Sequence, residues 1–233
     1  GNRLYNSYST NQAISFFDVA GLKFYGNRLY GVWNGNMVYT KTRGSGVDIM
    51  SNEINMAGLV NTTDAIFLQD IAGTRVVHNL IYGQNGRWAV RFSTNATGAV
   101  VQNNIFHTVS KVINVDASAQ SGFVMDWNVA YNVTAGATWG KWGSTEYTFA
   151  NWKSTSSQDA NTITTDPSVS NLASDWSTAS FVPPKTSTAY HTGKWVQGSL
   201  DINGRWFSTS SRPSIGPYDF DMDRGAPVRL VRV

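Results

Sequence analysis

The sequence predicts an all-β solenoid, a stack of coils built from short strands, and three observations carry that reading. Gly21, Gly46, Gly73, Gly98 and Gly122 each stand six residues ahead of an asparagine: Asn27, Asn52, Asn79, Asn104 and Asn128. Those asparagines recur every 24 to 27 residues, and Asn2 extends the series by one period. Around both columns apolar residues alternate with a period of two, as strands with one buried face require. A fixed period of this length marks a stacked-repeat architecture.

Each period holds three short strands. Ahead of the glycine run Ile14 and Phe16, Met37 and Tyr39, Ile66 and Leu68, Val90 and Phe92, and Ile113 and Val115. Between glycine and asparagine come Leu22 and Phe24, Val47 and Ile49, Thr74 and Val76, Ala99 and Val101, then Phe123 and Met125. Two residues beyond the asparagine stand Leu29, Ile54, Ile81, Phe106 and Ala130. Glycine supplies the positive φ at which a coil changes direction, and asparagine tolerates the left-handed region. An asparagine amide can also bond its equivalent one coil away, which turns the column into an internal ladder. The expected fold is a right-handed parallel β-helix of about six coils of 24–27 residues, its hand taken by analogy with other solenoids. Residues 1–133 form the coils, and 134–233 an irregular, Trp-rich C-terminal cap on the same solenoid.

Whole-chain properties narrow the function. The 233 residues carry a net charge of +3 with only 14% charged side chains, and the basic residues are scattered. No Lys/Arg run points to nucleic acid. No apolar run is long enough to span a membrane, so neither partner is expected. The absence of cysteine excludes disulfides and thiolate chemistry. Sequons at Asn61, Asn95 and Asn132 are expected by accident in a chain rich in Asn, Ser and Thr. The sequence opens inside a repeat, and repeat arrays need a cap. An upstream β-helix domain, or a partner chain, is therefore expected over the first coil.

The second half carries Trp139, Trp142, Trp152, Trp176, Trp195 and Trp206. Phe149-Ala-Asn-Trp152 reads as a short helix, followed by Gln158-Asp-Ala-Asn-Thr-Ile163 and Asp166-Pro167; later come Asp201-Ile-Asn-Gly-Arg205 and Ile215-Gly-Pro-Tyr218. These segments resemble the closing part of bacterial right-handed parallel β-helix repeat proteins, a group that includes polysaccharide lyases and glycoside hydrolases. There a tryptophan-bearing helix leads into a D-A-N-S-I…D-P stretch and the domain closes on D…G…R…I-G-x-Y. The resemblance implies a secreted or extracellular bacterial protein, or a periplasmic one. It does not imply a reaction, because the fold hosts many. Packing is the expected role of the tryptophans in this half.

Chemistry is expected on the strand column ahead of the glycines. Its outward positions are taken as Ser15, Thr40, Phe67, Gln69, Arg91, Asn114 and Asp116, with Arg87, Trp88, His107 and Lys111 from adjoining loops. A β-eliminating lyase needs a cation on the substrate carboxylate, a base and a proton donor, and Arg, Lys and His supply those types. The catalytic candidates are Arg91, His107, Lys111 and Asp116. The substrate-binding candidates are Arg87, Asn114, Trp33 and Trp88, the two tryptophans for a flat indole face against a pyranose ring. A glycoside hydrolase would draw its two carboxylates from Asp18, Asp64, Asp70 and Asp116. The paired aspartates, H-G and R-I-K motifs of polygalacturonases and the D-P-H-D motif of alginate epimerases are absent. No cofactor is called for; alternating Asp219, Asp221 and Asp223 suit calcium, but Arg224 stands where an EF-hand loop needs glycine, which favours a solvated tail. The expected protein acts on or binds an extended polysaccharide, an acidic one favoured by the basic surface. The alternative is a non-catalytic carbohydrate-binding or structural module.

Overall fold

The computed structural model describes residues 3–9, 12–57, 59, 62–134, 138–169, 172, 184–207 and 212–218, with backbone alone at 3–9, 31–33, 42 and 43. Trp176, Asn2, Asn61, Asp219, Asp221, Asp223 and the 226–233 end lie outside the described residues, as does the side chain of Trp33.

The chain is a parallel β-solenoid. The strands ahead of the glycines form one seven-stranded sheet, those between glycine and asparagine a five-stranded sheet, and those after the asparagines a six-stranded sheet. They are called here the pre-glycine, middle and post-asparagine sheets. All neighbours pair in parallel except the last two strands of the pre-glycine sheet, Gly140–Trp142 and Thr145–Tyr147. Gly140–Trp142 itself pairs in parallel with Ile113–Val115, so coil-type pairing continues past residue 133.

The two columns do what their chemistry predicts. The five column glycines hold φ between 64° and 68°, where a Cβ is disfavoured. Asn52 Oδ1 accepts from both the backbone N (2.9 Å) and Nδ2 (3.0 Å) of Asn27. The same double bond recurs from Asn52 to Asn79, Asn79 to Asn104 and Asn104 to Asn128. The ladder does not stop at the last asparagine. Asn128 N donates to Thr162 Oγ1 at 3.3 Å, and Ile163 bridges Val129 in parallel. The Gln158–Ile163 stretch is thus a partial further rung.

One expected register is wrong. Val38 and Thr40, both buried, turn inward in the second coil, and Tyr39 faces out beside Phe67. Gly46 follows Val38 by eight residues, whereas Gly21 and Gly73 follow Ile14 and Ile66 by seven. The extra residue is absorbed where the register shifts between Lys41 and Gly44. A one-residue slip exchanges the faces of every side chain.

The solenoid interior is filled by the predicted apolar positions, Leu29, Ile54, Ile81, Phe106 and Ala130 among them. A second apolar layer lies outside the post-asparagine sheet, where Tyr30, Leu80, Tyr82, Ile105 and Val129 are covered by Val169, Ala189, Ile202, Ile215 and Tyr218. That sheet is therefore buried on both faces, which explains unbroken apolar strands such as Leu80–Tyr82. Glu53, fully buried in this layer, is paired with Arg28 Nε at 2.8 Å and accepts from the Tyr30 and Tyr218 hydroxyls. A charge buried this deeply requires such partners.

The C-terminal segment is anchored on a further column, the residue before each ladder asparagine. Ser51, His78, Asn103 and Trp127 all have φ between 52° and 57°. Ser51 Oγ donates to the Leu200 carbonyl, and His78 stacks on Phe207 at 3.9 Å. Asn103 accepts from Lys194 N (2.9 Å) and donates to its carbonyl (2.6 Å), while Arg212 lies 5.3 Å over Trp127.

The expected helix is present as Phe149–Ser156, N-capped by Thr148. Its Trp152 is fully buried against Trp139 and donates Nε1–H to Asp159 at 2.7 Å. Trp195 and Trp206 depart from the expected packing role: they are 52% and 60% exposed. Among the described residues no helix is long and apolar enough to cross a membrane.

Candidate functional site

The outward face of the pre-glycine sheet gathers most of the predicted site. Strand register aligns Ser15, Tyr39, Phe67, Arg91, Asn114 and Lys141 in one row across six coils. A parallel row holds Phe17, Lys41, Gln69 and Ser93. At one end the face is aromatic. Phe17, 55% exposed, meets Tyr39 edge-on at 6.1 Å, Tyr39 meets Phe67 at 5.3 Å, and the Arg91 guanidinium lies 4.6 Å over Phe67. The Tyr39 hydroxyl donates to Gln69 at 3.0 Å.

At the other end Arg87, Arg91 and Lys111 are each set against a carboxylate. Arg87 grips the fully buried Asp64 with two bonds, Nε to Oδ1 at 3.1 Å and Nη2 to Oδ2 at 2.9 Å. Burial pushes the Asp64 carboxyl above its ordinary range, against the pull of Arg87 and Arg91. Arg91 lies between two acids, 3.9 Å from Asp64 and 3.5 Å from Asp116. Lys111 Nζ is 2.9 Å from both oxygens of Glu146 and 4.8 Å over the Trp88 ring. Lys111 in turn holds the Glu146 carboxyl below its usual range.

Two expectations are corrected. Trp88 does not present an open indole face: it is 2% exposed, beneath Lys111. Its position falls on the strand side of the loop, where Ala65 N donates to its carbonyl. His107 does not join Arg91 and Asp116. It ends the strand Ile105–His107 of the post-asparagine sheet, where Nδ1 is 2.9 Å from Thr108 Oγ1 and the ring packs on Tyr131. Burial lowers its pKa, and it lines a separate cavity of about 360 Å³ with Asn55, Tyr82 and Leu172. Of the two residues expected as a lyase base, His107 or Lys111, His107 is therefore set apart from Arg91 and Asp116.

Asn114 is in register with Arg91 but is 3% exposed, and among the described residues neither its Oδ1 nor Arg91 Nε has a partner. The aromatic row was missed. The one-residue slip turns Tyr39 inward in the expected register, and an exposed phenylalanine such as Phe17 carries no motif. Among the described residues no group of three or more acidic or histidine side chains could hold a metal ion. Comparison with protein-family models, with curated proteins and with solved structures returns no match for this chain.

Proposed function

We propose that this protein is a polysaccharide-binding module and that the outward face of the pre-glycine sheet receives the glycan. The supporting observation is the run of contacts from Phe17 through Tyr39 and Phe67 to Arg91, which passes from coil to coil along the solenoid axis. Coils about 4.8 Å apart repeat on a length comparable to one sugar ring, so an extended chain lying along the axis meets a side chain at each step. Aromatic rings offer apolar surface to sugar C–H groups, and Gln69 and Arg91 offer hydrogen bonds alongside. Binding without cleavage is favoured over lyase chemistry because Arg87 and Lys111 are already engaged by carboxylates and His107 stands on another sheet.

The test is affinity electrophoresis through gels containing single polysaccharides. Retention is expected on at least one glycan with no product formed. Phe17→Ala and Tyr39→Ala should each weaken it by about threefold to tenfold. Retention unchanged in both variants, with their melting temperatures intact, would remove this face from consideration.

A further inference from the structure

Asparagine is followed directly by glycine at Asn34, Asn85 and Asn203. In such a step the glycine backbone nitrogen can attack the asparagine Cγ, because the residue that approaches has no side chain in the way. The new N–C bond closes a succinimide ring, the Cγ–Nδ2 bond breaks, and the side-chain nitrogen leaves as ammonia with the proton lost from the glycine nitrogen. Water then opens the ring at either carbonyl, giving aspartate or isoaspartate. The reaction asks for a side-chain amide free to turn, a glycine nitrogen not already donating, and room for the two to meet.

The structure gives these conditions to one site and withholds them from the other two. At Asn203 the attacking atom is engaged: Gly204 N donates to the Asp201 carbonyl at 2.9 Å. Asn203 N and Arg205 N, on either side of it, are tied to Asp201 Oδ1 at 2.9 and 2.8 Å. At Asn85 the amide is engaged, with Nδ2 donating to the Ala57 carbonyl. Gly86 is buried there, and a Cβ on it would meet Met56 Cε at 2.9 Å and Leu59 at 3.1 Å, so its backbone has little room to swing. Asn34 differs on every count. It is exposed, in a bend between the strands Arg28–Trp33 and Val38–Ser45. Among the described residues neither its side chain nor Gly35 N makes a hydrogen bond.

We infer that Asn34 is a site of spontaneous deamidation, and that the fold holds Asn85 and Asn203 against the same reaction. Each event exchanges a neutral amide for a carboxylate and so takes one unit from the net charge of +3. The isoaspartyl product also routes the main chain through the side-chain carbon, which lengthens it just ahead of Asn36. Asn36 ties its coil to both neighbours: its Oδ1 accepts from Asp64 N at 2.8 Å and its carbonyl from Ala13 N at 3.0 Å. The modification therefore falls beside a junction of coils.

The experiment incubates the full chain in mildly alkaline buffer and follows each Asn-Gly step by peptide mapping with mass spectrometry, native and in urea. In the folded chain Asn34 should convert at least about fivefold faster than Asn85 or Asn203, the factor expected from one retained hydrogen bond. In urea the rates should converge, since the bonds and burial that separate the sites are gone. Asn34→Gln, in which ring closure is disfavoured by the longer side chain, should lose the first acidic species seen on isoelectric focusing. Equal rates at the three sites in the folded chain, or conversion led by Asn85 or Asn203, would overturn the inference. So would a folded chain that stays intact at Asn34 while the unfolded chain converts there.

Discussion

Two fully buried groups near the ladder titrate in opposite senses. Burial pushes His78 down to about 3, with the backbone of Ser214 and Gly216 pulling weakly the other way. An unfolded histidine takes its proton near 6.5, so unfolding absorbs a proton between those values. His78 therefore costs stability as pH falls through that window, by about 1.4 kcal/mol per unit. Asp159 is the reverse: burial raises it from 3.8 to about 7, outweighing its bonds from Thr162 and Trp152. It contributes stability at low pH that is lost as pH rises from 3.8 towards 7. The two slopes cancel between about pH 4 and pH 6.5. Asp159→Asn should expose the histidine slope, raising the urea-derived unfolding free energy by about 2 kcal/mol between pH 4.5 and pH 6. A flat profile in that variant would show that His78 is not held neutral. Neither residue was legible beforehand, since a buried histidine and a surface one look alike in a sequence; Asp159 was visible only inside the resemblance to a closing motif.

At the scale of elements, the columns were the most legible part of the chain. A turn needing positive φ and a ladder needing an amide admit few residue types, so the same two recur. Asn79 is fully buried, and its removal would leave the backbone N–H of Asn52 and one of its two Nδ2 protons without an acceptor, the other still reaching the Phe24 carbonyl. Asn79→Ala should therefore cost about 3 kcal/mol, read from the shift in urea midpoint at unchanged slope. Gly140 is constrained differently: a Cβ there would lie 2.8 Å from the Trp152 ring and 2.9 Å from Ile113. Gly140→Ala should undock the helix, seen as a rise and red shift of tryptophan fluorescence, whereas no change would mean the helix can retreat. Strand faces were less legible than strand positions. A two-residue period is easily misphased by one bulge, and that bulge hid the aromatic row by turning Tyr39 inward on paper.

The whole molecule divides by how its contacts arise. Coil-to-coil contacts repeat, so they are visible as a period, and the solenoid was read from them. The C-terminal segment makes each contact once, with a different side chain each time, and only its end motif hinted at a role. Arg87 shows the same limit within the site: it was assigned to substrate, but its partner Asp64 lies 23 residues away and no pattern links the two. Removing one contact of the C-terminal segment should loosen it as a unit. In Asn103→Ala, amide exchange is expected to rise together at Gly193, Ile215 and Gly216 while the ladder at Asn52 and Asn79 stays protected. Exchange confined to Gly193 and Lys194 would show that the anchors act separately.

Those anchors have a consequence for how such a chain can change over generations. Near-identical steps invite unequal recombination, which adds or deletes a coil with little harm to the stack. Here the steps are keyed. A hydroxyl at Ser51, an imidazole at His78, an amide at Asn103 and an indole at Trp127 each meet a different residue of the C-terminal segment. An inserted coil would throw every later key out of phase with its lock. The C-terminal segment thus counts the coils, and between Ser51 and Trp127 it fixes their number.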